Sequence, residues 1–142
     1  MKKIIYLLAL ISISLFSFSS CNHDENEMED IQNIIKNNPE EDGSFLNGYW
    51  SSNYPGIKSF YAEYPYYYEI DSPQSDPTIY RCLFSYKKGL MIFPNGNVFK
   101  IEWGYTELKL TSVGETSYYY TFAKEELPLA SKEKIEKRLF IE

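Results

Sequence analysis

The chain has 142 residues, 44% hydrophobic and 18% aromatic, with a formal net charge of −6. That length holds one ordinary domain with a core of its own, and an acidic balance without a basic patch argues against a nucleic-acid partner. One histidine and two cysteines argue against multi-histidine metal sites and a disulfide framework.

In chain order, Lys2 and Lys3 give a positive start, Ile4 to Phe18 an apolar stretch diluted by serines, and Ser19 and Ser20 two small residues before Cys21. This is the three-part pattern of an export signal. The apolar stretch is shorter than the roughly 20 residues that span a bilayer. The run Phe18-Ser19-Ser20-Cys21 resembles the lipobox of bacterial lipoprotein signals, with Phe18 where leucine is usual.

The resemblance implies that residues 1–20 are removed and that Cys21 becomes the first mature residue, carrying a diacylglyceryl group and an N-linked acyl chain such as palmitate. Several chains hold stably, at about 0.8 kcal/mol per buried CH₂. Asn22 stands where an aspartate favours inner-membrane retention, which implies the outer membrane. The acidic run His23 to Asp30 is similar to the tethers of surface-exported lipoproteins. Periplasmic facing is the alternative, and cleavage near Ser19 or Ser20 that leaves Cys21 a plain thiol is the alternative to lipidation.

Residues 21–43 read as an acidic tether. Eight acids and one base, Lys36, fall between Cys21 and Asp42, whereas Gly43 to Glu142 hold twelve acids and eleven bases. The acidity therefore belongs to the tether, where like charges extend the chain. Within it, Met28, Ile31, Ile34 and Ile35 recur at helical spacing, which offers a short amphipathic helix ending before Asn37-Asn38-Pro39, with a frayed helical turn as the alternative.

Residues 44–142 read as one β-rich domain. From Phe45 on there are thirteen Tyr, seven Phe and two Trp, side chains that suit a pleated, half-buried surface. Strands are expected over Phe45 to Ser51, Lys58 to Tyr64, Tyr66 to Ile70, Thr78 to Tyr86, Leu90 to Phe93, Asn97 to Trp103, Thr106 to Thr111 and Ser117 to Phe122. Pro94-Asn95-Gly96-Asn97 marks the surest hairpin. Helix-leaning composition is confined to Lys124 to Lys137, after Pro128, with Ser131 as a candidate N-cap, and Lys137 to Glu142 offers a further strand. The expected fold is all-β: a small antiparallel up-and-down barrel or sandwich of about eight short strands with a short C-terminal helix.

Leu46-Asn47-Gly48-Tyr49-Trp50 is similar to the G-x-W element that opens the first strand of lipocalin-like β-barrels, and Phe93 to Val98 looks like a turn common in small bacterial lipoproteins of that kind. The resemblance implies that Trp50 closes the barrel bottom, with Arg138 in the place of an arginine on the final strand. The domain is short for a full lipocalin, so a reduced or partly open barrel fits better than a deep cavity.

For chemistry, His23 lies in the tether, which removes histidine-activated catalysis from the domain. Cys82 sits on the apolar face of its strand and reads as a buried core thiol. Glu63, Glu69, Asp71, Asp76, Glu102 and Glu107 read as solvated strand-face charges opposite lysines. Asp71 to Asp76 lacks the ligand spacing of an EF-hand loop. No cofactor and no catalytic group is expected.

The tyrosine clusters remain, Tyr61 to Tyr68 around Pro65 and Tyr118-Tyr119-Tyr120. Consecutive strand tyrosines point to both faces. Trp103, Tyr66, Tyr68, Tyr118 and Tyr120 are the expected contact residues. Two partners fit them: a small apolar or glycan ligand, or a protein bound by an inhibitor, immunity factor or accessory subunit. Replacing Cys21 by alanine is expected to shift the chain from the membrane to the soluble fraction; persistence of Cys21→Ala in membranes overturns the lipid anchor.

Overall fold

The computed structural model describes residues 26–114 and 116–142. The expected export segment, residues 1–20, with Cys21 and His23, lies outside the described residues. The chain divides into two compact units, up to Asn37 and from Asn38 to Glu142. In the first, α1 (26–37) is helical, where the spacing of its isoleucines predicts a helix, and it stops ahead of Pro39, whose ring disfavours the helical region for the residue before it. No helix among the described residues is long and apolar enough to cross a membrane.

The second unit is one antiparallel sheet of nine segments: β1 (Gly48–Ser52), β2 (Ser59–Glu63), β3 (Tyr66–Ile70), β4 (Ile79–Leu83), β5 (Ser85–Lys87), β6 (Leu90–Ile92), β7 (Val98–Trp103), β8 (Glu107–Ser112) and β9 (Tyr119–Glu125), followed by α2 (Leu129–Glu136). A 3-10 turn, Ser44–Leu46, precedes them. The strand order is β4-β3-β2-β1-β9-β8-β7-β6-β5. The first strand thus pairs with the last, Trp50 opposite Lys124, and every other neighbour is sequential. The hairpin expected at Pro94-Asn95-Gly96 joins β6 and β7. There the Gly96 N–H donates to the Phe93 carbonyl at 3.0 Å and the Asn97 N–H to Asn95 Oδ1 at 3.0 Å.

Only Phe84 separates β4 from β5. A hairpin needs at least two connecting residues, so the chain does not reverse here: the two segments are one bent strand. Its first half pairs with β3 and its second with β6. Counted this way the sheet has eight strands in sequence, the nearly closed barrel expected from the sequence, and the single strand predicted over Thr78 to Tyr86 is this bent one. The bend leaves a free edge on each half.

Both edges are covered by the ends of the unit. At β4 the Arg81 N–H donates to the Ile141 carbonyl and the Ile141 N–H to the Ile79 carbonyl, each at 2.8 Å, a one-residue parallel bridge. Lys137 to Glu142 therefore forms a bridge where a strand was expected. At β5 the Glu41 N–H donates to the Tyr86 carbonyl at 2.8 Å, and the Lys88 N–H donates to Glu41 Oε2 at 2.6 Å. Tyr64 donates its hydroxyl to Glu40 Oε1 at 2.5 Å and to the Glu41 carbonyl at 3.0 Å. A Cβ on Gly43 would lie 2.7 Å from the Tyr64 ring, so the close approach requires glycine. Glu40 and Glu41 are thus folded onto the barrel, where each finds a donor.

The inner face is filled by Leu46, Trp50, Phe60, Phe84, Met91, Leu108 and Phe122. The outer face of β1–β4 carries a second cluster, Tyr49, Tyr68, Ile70 and Ile79, covered by Leu127, Ile135 and Phe140. This second burial is why α2 stays on the sheet. Pro128, not Ser131, occupies the N-cap of α2, which begins two residues before the predicted cap. Ser131 is fully buried inside the helix, and its hydroxyl has no hydrogen-bond partner among the described residues.

An unpaired buried hydroxyl costs about 1–3 kcal/mol, and alanine is the better helix former. Ser131→Ala is therefore expected to raise stability by about 1 kcal/mol, read from the denaturation midpoint; a loss of stability would contradict the unpaired hydroxyl. The Tyr64 contact has a pH signature. Burial, then the Glu40 hydrogen bond, push the Tyr64 hydroxyl up to about 12 from 10.0. The folded state holds this proton while the unfolded chain releases it, so the stabilisation is full below about pH 10 and lost as pH rises to about 12. Tyr64→Phe is expected to flatten that alkaline loss in part, leaving the share due to Tyr61, Tyr67 and Tyr68, which burial also raises.

Candidate functional site

The barrel has two unlike ends. One, the bottom, is closed by the turn Ser44–Leu46 and by Trp50, whose Nε1 donates to the Leu46 carbonyl at 2.8 Å in a fully buried setting. Lys124 of β9 places its ammonium 5.4 Å from the Trp50 ring centroid, a contact worth about 0.5–1 kcal/mol where water reaches it. Gly48 has φ 132, and a Cβ there would lie 3.1 Å from Lys124 Cε. The G-x-W pattern thus makes room for a lysine stem over the tryptophan. The cation on the last strand is Lys124 and not Arg138, which follows α2 at φ 58 and lies outside every strand of the sheet. A lysine on a strand end carries no signal in the sequence that distinguishes it from other surface lysines.

The opposite end is a mouth. Ile57, Tyr67, Phe93, Phe99, Tyr120 and Phe122, with Gly56, Leu110, Lys58 and Glu69, line a recess of about 290 Å³. Alternation produces it: Tyr67 of β3, Phe99 of β7 and Tyr120 of β9 all point inward, while Tyr66, Tyr68 and Tyr119 point outward. Phe60 stacks beneath Tyr67 at 4.6 Å, Phe93 meets Tyr67 edge-on at 5.1 Å and Phe99 at 6.1 Å. These rings fix one another's positions and leave the recess shallow, since Trp50, Phe60, Met91 and Leu108 occupy the space below.

Its polar group is one ion pair, Lys58 Nζ to Glu69 Oε1 at 2.9 Å. The Glu69 hydrogen bond, followed by its charge, pushes the Lys58 ammonium pKa up. Lys58 also lies 5.2 Å from the Tyr80 ring centroid. Burial pushes the Tyr67 hydroxyl far above its ordinary range, so it stays a neutral donor. The rim continues into exposed tyrosines: Tyr118 sits 5.2 Å from Tyr120, and the Tyr54 hydroxyl oxygen accepts from the Thr121 hydroxyl at 3.4 Å.

A second recess, of about 1000 Å³, lies on the outer face between β3, β4 and the segment after α2. Tyr66, Tyr68, Arg81, Arg138 and Phe140 line it together with Glu63, Glu136 and Glu142. Its aromatic faces are already engaged: the Arg81 guanidinium is 4.8 Å from the Tyr66 ring and 4.3 Å from Phe140, and it pairs with Glu142. Burial first, then the Glu63 charge, push the Tyr68 hydroxyl up. Arg81, Arg138 and three carboxylates make this a polar surface.

The five expected contact residues therefore fall in three places. Tyr118 and Tyr120 stand at the mouth, Tyr66 and Tyr68 on the outer face, and Trp103 at the bottom against Phe45, 5.4 Å away. Sequence reading passed over Phe93, Tyr67 and the Lys58–Glu69 pair as ligand contacts; the inward parity of Tyr67 was the available signal. Cys82 corrects another expectation. It shares the inner face with Tyr67, its register partner, yet is exposed. Partial desolvation, then the Glu69 charge, push its thiol up to about 11, which leaves it poorly nucleophilic at neutral pH.

Carboxylates behave largely as expected of strand-face charges. Asp71 lies 3.8 Å from Lys58, Asp76 2.6 Å from Lys134 and Glu102 2.9 Å from Lys109. Among the described residues no group of three His, Cys, Asp or Glu is placed to hold a metal ion. In comparisons with known proteins, no family model, no curated protein and no solved structure matches this chain.

Proposed function

We propose that this is a lipid-anchored outer-membrane protein, held through Cys21, whose barrel mouth binds a small apolar or glycan ligand. The observation that carries the reading is the mouth itself: preorganised aromatic faces around one ion pair, at an end the barrel's own side chains leave unfilled. Ligand sites combine apolar walls with a few placed polar groups, and the recess has that make-up at the small end of the usual size range. Its shallowness fits a single ring or a chain end, partly in water, better than an engulfed lipid. Stacked rings supply area at low entropic cost.

A protein partner is the second reading, and one observation favours it. Tyr54, Tyr118 and Tyr119 remain exposed around the same mouth, a rim suited to a protein contact. The experiment is extraction of the full chain from its native membranes in gentle detergent, with identification of co-eluting small molecules and proteins. A small molecule that accompanies the wild type and is depleted about tenfold by Phe99→Ala or Tyr120→Ala supports the ligand reading, a loss of about 1.4 kcal/mol. A protein lost on Tyr119→Ser supports the second. Recovery of neither counts against both.

A further inference from the structure

The bottom of the barrel exposes aromatic surface that the fold leaves uncovered. Trp103 ends β7 with 49% of its surface exposed, and Tyr105, in the three-residue turn to β8, is 88% exposed. The turn is held without the Tyr105 ring: Gly104 donates its N–H to the Glu107 carbonyl at 2.8 Å, and Lys124 donates its N–H to the Thr106 carbonyl at 2.8 Å. An almost fully exposed tyrosine beside a half-exposed tryptophan costs solubility and contributes little to the core.

The same end receives the chain from its N-terminal side. Glu41 donates its N–H to the Tyr86 carbonyl, and Phe45 meets the Tyr86 ring at 4.9 Å and the Trp103 ring at 5.4 Å. The β-domain is therefore joined to the preceding chain at the end that carries Trp103 and Tyr105. We propose that this end of the barrel rests on the bilayer that holds Cys21, with Trp103 and Tyr105 seated among zwitterionic headgroups and the mouth facing away. The inference rests on the lipid-anchor reading.

Three physical arguments select that occupant. Trp and Tyr favour the membrane–water boundary, where an apolar ring and a polar edge are both accommodated. An aromatic face attracts the ammonium of choline or ethanolamine. Exposed acids at this end, Glu107, Glu125 and Glu126, outnumber the exposed lysines there, Lys88 and Lys124, which disfavours anionic lipid, so a net-neutral surface is the better match.

The fold supplies its own reporter. Trp50 is fully buried and Trp103 is not, so a change in tryptophan emission on docking belongs to Trp103, and Trp103→Phe defines the background. The acylated chain, purified from membranes, is reconstituted into phosphatidylcholine vesicles and tested for flotation. The same sample is then measured with phospholipid brominated near the top of the acyl chains. Expected are a blue shift of Trp103 emission, its quenching by the brominated lipid, and reversal of both by Tyr105→Ser or by replacing half the lipid with phosphatidylglycerol. A chain that floats with Trp103 unquenched overturns the docked orientation and leaves the anchor standing. A chain that does not float overturns the anchor, and this inference with it.

Discussion

The whole β-domain depends on the bend at Phe84. One residue is too few to turn the chain, so the strand passes from a partnership with β3 to one with β6 and binds the two halves of the barrel through continuous backbone. Phe84 holds the bend from both sides: its side chain is buried in the inner core and its N–H donates to the Pro65 carbonyl at 2.9 Å. The cost is two short edges of unpaired backbone, which a sheet in water must cover. Glu41 covers one and Ile141 the other. Glu40, Asp42, Gly43 and Tyr64 on one side, and Phe140 and Arg81 on the other, hold those covering segments in place.

A second constraint is the amount of aromatic surface. A barrel this small cannot be both filled by Trp50, Phe60, Phe84 and Phe122 and hollow along its length. The core solves this by packing rings edge-on and stacked from the bottom upward, until the space above Phe60 and Phe122 runs out of inward side chains. What is left is the shallow mouth. Site and core are therefore one structure, and the rings that line the mouth are held by the rings that stabilise the fold.

Much of the fold was legible in the sequence because period-two alternation is strong in aromatic strands and Pro94-Asn95-Gly96 has specific turn chemistry. The α1 region followed from helical spacing and the confinement of α2 to residues after Pro128 from proline, although the cap is Pro128 and not Ser131. Other features depend on partners distant in sequence. That Glu40 and Glu41 bind Tyr64 and Lys88 cannot be read from a run of acids, which looks the same whether solvated or docked. Lys124 over Trp50 depends on the pairing of first and last strands. Cys82 alternates with the core yet is exposed, which the pattern along its own strand does not reveal. The candidate site residues were legible by type but not by place, since Tyr66, Trp103 and Tyr118 belong to an outer face, a closed end and a mouth respectively.

The closure of β1 on β9 also fixes an order of events. Trp50 emerges early in synthesis, yet one side of its strand has no partner until Lys124 and its neighbours arrive. Until then β1 is the open edge of the β1–β4 meander, with one row of its backbone groups unpaired. Contacts of such long sequence separation make folding slow. On the export proposed above, that delay is useful: the chain stays loose enough to be threaded across a membrane, and commits to its native topology only once its final strand is on the far side.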